Sequence, residues 1–445
     1  MTITITKDFK LALQCIETGE RNLFIHGKAG TGKSTFIGLL KEKYSVAEND
    51  AANTVYLAPT GVAAVNIEGQ TIHSFFSFQP HFLDASNMEI RRSKKFKTVR
   101  KIIIDEISMV RADLLDAIDV VLRANHNSAL PFGGVTMVFI GDTYQLPPVV
   151  TRYEQQVFTK KGYKTPFFFS SFVFLEMLDK RNNLRPLFIE FVTIFRQKDS
   201  EFIQVLHLIR NALDKKTVME KLALRVGNEK DISGPFVILT GTNKLAATYN
   251  KRKLKEISNK QYTFEAEILD DFPERDFPTE KLLALKEGAQ VIFIRNEVIK
   301  QEYVNGDIGV VEKIDEFNIT VNVNGKLVEV EPTTWERFRY KLIYGRIVPV
   351  VVGEFYQFPL KLGYAITIHK SQGHTYAQIL LDLGKKAFAS GQVYVALSRV
   401  TSLSGVYLRN SLKADDIFVD KRISRFWNSL EESSQARTSV PEEAA

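Results

Sequence analysis

Gly27-Lys28-Ala29-Gly30-Thr31-Gly32-Lys33-Ser34 is the stretch that decides the fold. It carries the G-x-x-x-x-G-K-[ST] spacing of a phosphate-binding loop. Its flanks agree: Leu23 to Ile25 reads as a buried strand, and Ser34 to Lys43 as a helix. Glycines let consecutive backbone N–H groups wrap around phosphate oxygens, and the following helix turns the positive end of its dipole toward them. In such a loop Lys33 reaches the β- and γ-phosphates of ATP and Ser34 ligates Mg²⁺. The candidate nucleotide contacts are Gly27, Ala29, Gly30, Thr31, Gly32, Lys33, Ser34 and Thr35.

Working outward, the first 150 residues alternate short apolar runs with helical stretches, the pattern of βαβ units on a parallel sheet. Ile102-Ile103-Ile104-Asp105-Glu106 delivers two carboxylates to a strand end. Asp105 is placed to hold Mg²⁺, and Glu106 to orient and deprotonate the attacking water. A third strand, Val135 to Ile140, leads to Gly141-Asp142-Thr143-Tyr144-Gln145, which sets Gln145 near the γ-phosphate. A second α/β set follows, with strands at 236–239, 291–294, 365–368, 379–381 and 406–408. Short β-like runs and an Asn305-Gly306 turn mark a small all-β insert between 304 and 360. The reading is α/β, with two P-loop-type domains (1–185, and 186–303 with 361–430) and a polar, disordered tail from 431 to 445.

Composition narrows the class. The chain has 445 residues, 44% of them hydrophobic, enough for more than one core. A single cysteine, Cys15, excludes an internal disulfide and a cysteine-cluster zinc site. No apolar run is long enough to span a bilayer and the N-terminus lacks a signal-peptide core, so we expect a cytoplasmic protein with no membrane partner. The net charge of +7 comes from one place. Residues 91–101 (RRSKKFKTVRK) hold seven basic side chains and no acidic one, and outside them charges balance. Such a block is expected to be solvated and to bind a polyanion.

The ordered motifs resemble those of the PIF family of superfamily 1 DNA helicases. GKAGTGKS, LAPTGVAAVNIEGQTIHSFF, IIIDEISM and GDTYQLPPV match over residues 27–149, with Pro131-Phe132-Gly133-Gly134 closing a family-type segment. Phe195-Arg196-Gln197, Tyr364 to Gly373 (YAITIHKSQG) and Tyr394 to Arg399 (YVALSR) continue the match. The resemblance implies two RecA-like domains with ATP between them, and 5′→3′ movement along single-stranded DNA. It makes Arg196 and Arg399 arginine fingers from the second domain, and brings Gln372 and Gly373 to the phosphates. A monomer acting on duplex or forked DNA is implied, in a bacterial cytosol or nucleoid, with G-quadruplexes and RNA–DNA hybrids as further substrates.

It also nominates strand contacts: Pro59, Thr60, Thr71, His73 and Phe75 in the first domain, and Asn243, Thr367, His369 and Lys370 in the second. Phe75 or Phe76 fits either base stacking or core packing. Residues 77–98 take the place of the wedge insert (1B), and 304–360 that of an SH3-like insert (2B), whose Trp335, Arg337 and Arg339 fit core, surface or displaced-strand contacts. One departure stands out: the family's adenine-reading glutamine has no clear equivalent in ITKDFKLALQCI, where Gln14 falls in a helix and Phe9 fits either the base or the core. A RecD-like helicase, or a P-loop ATPase remodelling a protein partner, are the alternative readings.

Overall fold

The computed structural model describes residues 4–19, 22–46, 53–79, 81–90, 92–179, 181, 184–297, 302–315 and 318–438. The first sheet has six strands: β1 (Leu23–Gly27), β2 (Thr54–Ala58), β3 (Gln70–Thr71), β4 (Lys101–Ile104), β5 (Thr136–Gly141) and β6 (Leu187–Phe191). All pair in parallel, in the order β3-β2-β4-β5-β1-β6. Helices cover both faces, so the central strands are buried on both sides and read as unbroken apolar runs.

β6 corrects the expected boundary at residue 186. Leu187 to Phe191 add to the P-loop strand in register, Leu23 opposite Leu187, so the first domain keeps one more strand. The chain crosses after it. The helix Ser200–Asn211 already packs Phe202, Val205 and Ile209 into the second core.

That core surrounds β7 (Val237–Thr240). The chain then lays down antiparallel strands before returning to it: β8 (Gln261–Glu265), β9 (Glu267–Asp270), β10 (Leu282–Lys286), β11 (Gln290–Phe293), β12 (Ile308–Ile314), β13 (Ile319–Val323), β14 (Lys326–Val330), β15 (Thr333–Ile343), β16 (Arg346–Gln357) and β17 (Leu360–Leu362). Finally β18 (Ala365–Thr367), β19 (Ile379–Asp382) and β20 (Val406–Leu408) complete a parallel sheet in the order β18-β7-β19-β20. Antiparallel pairing thus begins at Gln261 rather than near 304. β11, expected in the second α/β set, lies between β12 and β17 in the antiparallel sheet β14-β13-β12-β11-β17. A short apolar run does not tell a parallel strand from a buried antiparallel one.

β15 and β16 form a long hairpin that reaches the first domain. There the Tyr340 hydroxyl accepts from the Tyr56 amide at 3.0 Å, and the Tyr340 amide donates to the Gln70 side chain at 3.0 Å. The C-terminal helix Lys421–Thr438 also returns to the first core, stacking Phe426 on Phe169 with ring centroids 4.5 Å apart. It was expected to end the second domain at 430 with a disordered tail from 431. Phe426 and Trp427 find their partners in the first domain, Phe426 on Phe168, Phe169 and Phe174 and Trp427 on strand residues Phe24, His26 and Phe188, and helix continues to Thr438; residues 439–445 lie outside the described residues.

The segment closed by Pro131-Phe132-Gly133-Gly134 works by buried carboxylates. The helix Ala112–His126 places Asp113, Asp116 and Asp119 inside, where each accepts from a neighbour's amide: Leu83, then Phe172 and Val173, then Phe132. A buried carboxylate is tolerated when its oxygens are hydrogen-bonded, so these three fasten the surrounding loops to the helix.

Candidate nucleotide site and strand face

Most of the nucleotide candidates converge on one cavity of about 760 Å³ between the two parallel sheets, lined by Ala29 to Thr35, Glu106, Gln145, Arg196, Gly373 and Arg399; Gly27, Asp105 and Gln372 do not line it. Gly30 and Gly32 hold φ of 81° and 84°, where a side chain is strained, and a Cβ on Gly30 would lie 2.7 Å from the Arg196 Cβ. Ser34 and Thr35 are open to solvent. Lys33 Nζ donates to the carbonyls of Gly27 (2.7 Å) and Lys28 (3.0 Å), and burial lowers its pKa.

Asp105 continues β4 at the sheet's carboxyl edge, its amide donating to the Leu57 carbonyl at 3.0 Å. Glu106 follows in the left-handed region at φ 51°, an uncommon conformation for a residue with a side chain, of the kind that gathers at active sites. Burial raises both carboxyl pKa values; Glu106 adds to the rise at Asp105, while Lys33 and Arg399 oppose the rise at Glu106. Gln145 is buried, and its side-chain oxygen accepts from Gln372 Nε2 at 3.3 Å across the cleft.

Arg196 lies on the crossing segment after β6, not on the second sheet's own elements. Its Nη1 and Nη2 donate to the carbonyls of Ser398 (3.1 Å) and Gly373 (3.3 Å). Arg399 is fully buried and donates to Val395 O, Ser371 O and Ser398 Oγ. Burial, with Arg399 nearby, lowers the Arg196 pKa to about 9, and burial lowers that of Arg399. Two desolvated guanidiniums facing a cavity make it a receptor for concentrated negative charge. One hydroxyl (Ser34) and one carboxylate (Asp105) beside that cavity suit Mg²⁺, which takes few protein ligands and completes its shell with phosphates and water.

Sequence reasoning missed a relay behind the loop. The Ala29 amide donates to Tyr394 Oη at 2.9 Å, the Tyr394 hydroxyl donates to Asp142 Oδ2 at 3.3 Å, and Arg210 Nη2 donates to Asp142 Oδ1 at 2.9 Å. Asp142 and Tyr394 lie within the GDTYQLPPV and YVALSR motifs, but the pairing of their side chains is a tertiary fact. Phe195, 41% exposed, also lines the cavity. Phe9 is buried against Phe36 and Phe191 and also lines the cavity beside Gly32, while Gln14 is exposed on its helix and does not line it.

The strand candidates lie at carboxyl ends of both sheets but do not meet. Pro59 and Thr60 follow β2; the Thr60 and Thr71 hydroxyls cap short helices by accepting from Ala63 and Ser74. His73 is half-buried in the helix Ile72–Phe76. Phe75 is a correction as a stacking residue: it is fully buried against Phe76, Phe96 and Tyr340, so its ring offers no free face here. Asn243 and Lys370 are exposed, His369 is half-buried, and Thr367 is buried and accepts from the Lys370 amide at 3.4 Å.

Between the two sets lies the loop after β9. A Cβ on Gly61 would fall 2.5 Å from Asp276 Oδ1, so this carboxylate covers the first-domain face next to Thr60. Arg337 holds it there through Asp276 (3.4 Å) and Asp271 (2.7 Å), and Arg339 pairs with Asp271. Trp335 packs with Phe355 and Phe272 in the same all-β region. The basic block is only partly solvated. Lys95 Nζ donates to the Phe75 carbonyl at 2.7 Å and sits 4.2 Å from the Phe75 ring centroid, and buried Lys101 donates to the Ile16 carbonyl at 2.6 Å. Arg92, Lys94, Lys97 and Arg100 are exposed; Arg91 lies outside the described residues.

Two RecA-like domains with a P-loop, paired carboxylates and facing arginines in the cleft define a nucleotide-driven helicase fold. The PIF1-like helicase family profile matches residues 5–219. The chain is 30% identical to the ATP-dependent DNA helicase Pif1 of Campylobacter jejuni, over 90% of this chain and 94% of that one. It is 31% identical to human PIF1 over 99% of this chain, but spans 66% of that protein's length, and about 60% of the mouse protein's. Unliganded Pif1 from Bacteroides sp superposes with a TM-score of 0.86 at 34% identity, covering 97% of this chain and 98% of that one. Bacteroides Pif1 bound to single-stranded DNA, over the same shares and at 33% identity, gives 0.68. The chain belongs to the PIF1-like helicase family.

Proposed function

We propose that this chain is an ATP-dependent DNA helicase that moves 5′→3′ along single-stranded DNA and separates duplex ahead of it. The observation that carries this reading is the single cleft that gathers Lys33, Glu106 and Gln145 of the first domain with Arg196, Gln372 and Arg399. Campylobacter Pif1 is an ATP-dependent DNA helicase, and Bacteroides Pif1 binds single-stranded DNA. The 5′→3′ polarity is the one the family resemblance implies.

Lys33 moves from the Gly27 and Lys28 carbonyls to the β- and γ-phosphates. Ser34 and Asp105 would hold Mg²⁺, which would neutralise charge on the phosphate oxygens. Glu106 takes the proton of the attacking water, and Gln145 orients that water. Arg196 and Arg399 stabilise the charge on the transferring group. Because both guanidiniums are fixed to backbone carbonyls of the second domain, facing the phosphate loop of the first, hydrolysis depends on cleft closure. Alternating grips by Thr60 and Thr71 on one side, and Asn243, His369 and Lys370 on the other, convert closure and opening into steps along the strand. Engaging the first-domain face requires Asp276 to leave Gly61. The TM-score of 0.68 to DNA-bound Bacteroides Pif1, against 0.86 to the unliganded protein, supports a different overall arrangement in the DNA-bound state.

We assign residues 77–98 to the wedge and the antiparallel region to the 2B insert. Forked DNA, G-quadruplexes and RNA–DNA hybrids are further substrates, and the protein acts as a cytoplasmic monomer. Among the described residues no helix is long and apolar enough to cross a membrane. The test is the ATPase rate with and without single-stranded oligonucleotide. Strong stimulation is expected; an unchanged rate would favour a protein-remodelling ATPase.

A further inference from the structure

The carboxyl ends of the second parallel sheet form a row in the order β18, β7, β19, β20. The strand candidates use the first two: Thr367, His369 and Lys370 after β18, and Asn243 after β7. The surface after β19 and β20 has the same chemistry and no assigned role. Lys385 and Lys386 are exposed after β19, and Phe388 is 57% exposed; Asn410, Ser411 and Lys413 are exposed after β20. The three lysines line one cavity of about 340 Å³ with Asn410 and Ser411.

Phe388 joins this patch to the β7 end. A Cβ on Gly241, two residues before Asn243, would lie 3.3 Å from Phe388 Cε1. The loop is fastened rather than loose: the Phe388 amide donates to Gln392 Oε1 at 3.0 Å and the Ala387 amide to Asp416 Oδ1 at 2.9 Å. Of the acids beside it, Asp415 is exposed and the other two are turned to internal partners. Asp416 accepts from the Ala387 and Lys413 amides, and Asp382 from the Tyr249 hydroxyl and the Gly384 amide. A single exposed ring means little by itself. An exposed ring on a fixed loop, flanked by three lysines and continuous with a strand path, has the make-up of a single-strand site, where bases stack on aromatics and cations follow the backbone.

We propose that Lys385, Lys386, Phe388 and Lys413 form a further single-stranded DNA contact, which extends the grip of the second domain beyond β7. At the spacing of neighbouring strands, β19 and β20 add roughly 10 Å of track. Phe388 stacks on a base and the lysines meet phosphates. The proposal rests on the DNA-motor reading above.

The test compares oligo-dT of about 6 and about 16 nucleotides by fluorescence anisotropy over a salt series, for the wild type, Lys385→Ala/Lys386→Ala/Lys413→Ala and Phe388→Ala. The triple variant should bind the long oligonucleotide about tenfold more weakly, with a log–log salt slope smaller by about 2, from ~0.7 per phosphate contact. Phe388→Ala should lose about fivefold or more on the long oligonucleotide. Both variants should bind the short one within about twofold of the wild type and melt at an unchanged temperature. Wild-type affinity and slope on the long oligonucleotide would overturn the patch alone, and would point to an acidic protein as its occupant. Equal losses on both lengths would overturn it too, placing these residues on the main path. A wild type that binds neither length would remove the motor reading and the patch together.

Discussion

The backbone amide of Ala29 donates a 2.9 Å hydrogen bond to the phenolic oxygen of Tyr394, joining the phosphate loop of one domain to the YVALSR helix of the other. Tyr394 passes the contact to Asp142, which Arg210 neutralises in a buried ion pair. The relay ties the two sheets together across the cleft; removing the hydroxyl leaves the buried Ala29 amide without its partner, while Asp142 keeps Arg210 and the Tyr144 amide.

Tyr394→Phe keeps the ring and removes that hydroxyl. Unsatisfied buried groups cost about 1–3 kcal/mol, so coupling between the domains should fall by that order. Steady-state ATPase assays should show DNA stimulation reduced about fivefold or more.

Arg196→Ala tests the cross-cleft charge. Removing an arginine finger costs on the order of 10³-fold or more in kcat. We expect that loss at saturating ATP and DNA, with nucleotide affinity in a fluorescent-analogue titration changed far less. Comparable losses in both would make Arg196 a ground-state binding residue.

That the candidate phosphate-site residues gather at one cleft was legible in the sequence because their motifs are local. Lys33, Ser34, Asp105 and Gln145 sit in short motifs at strand ends, and spacing alone predicts where a parallel sheet delivers them. What stayed hidden depends on which surfaces meet. Leu187–Phe191 reads as any apolar run until it pairs with β1. Phe426 gives no sign of stacking on Phe169, more than 250 residues earlier. Phe75 is an aromatic in a DNA-type motif, and only the hairpin bearing Tyr340 shows that its ring is enclosed. Lys95 belongs to a basic run, yet it is spent on the Phe75 carbonyl and ring.

The basic block therefore divides into two roles. Lys95→Ala removes an anchor to a core residue and should lower Tm, by about 1–2 kcal/mol of stability. Arg92→Ala/Lys94→Ala/Lys97→Ala touches exposed side chains and should leave Tm nearly unchanged. If the block holds duplex at the fork, this triple variant should lose unwinding rate more than single-strand-stimulated ATPase. Thermal melts and parallel unwinding and ATPase assays separate the two.

Acid should act on hydrolysis and stability through different groups. Glu106 must be ionised to accept a proton, and burial raises its pKa, so kcat should rise with pH through a value above the ordinary glutamate pKa of about 4.3 and then level off. The pKa values of His26, whose ring centroid lies 4.4 Å from that of Trp427, and of His374 are both lowered to about 4, chiefly by burial. An unfolded histidine binds its proton near pH 6.5, so between about 6.5 and 4 the unfolded chain takes up protons that the folded one refuses. Stability should then fall as pH drops through that window, by on the order of 1–2 kcal/mol per histidine at pH 5, as read from denaturant melts. His26→Gln should flatten part of that slope.

The most direct measurement is ATP-dependent unwinding of duplexes that differ only in which strand carries the single-stranded tail. The two-domain motor of the PIF1-like family predicts strand separation from the 5′ tail, none without ATP, and none by Lys33→Ala. Preference for the 3′ tail would contradict the polarity, and failure to unwind either substrate despite DNA-stimulated hydrolysis would contradict the coupling of this cleft to strand separation.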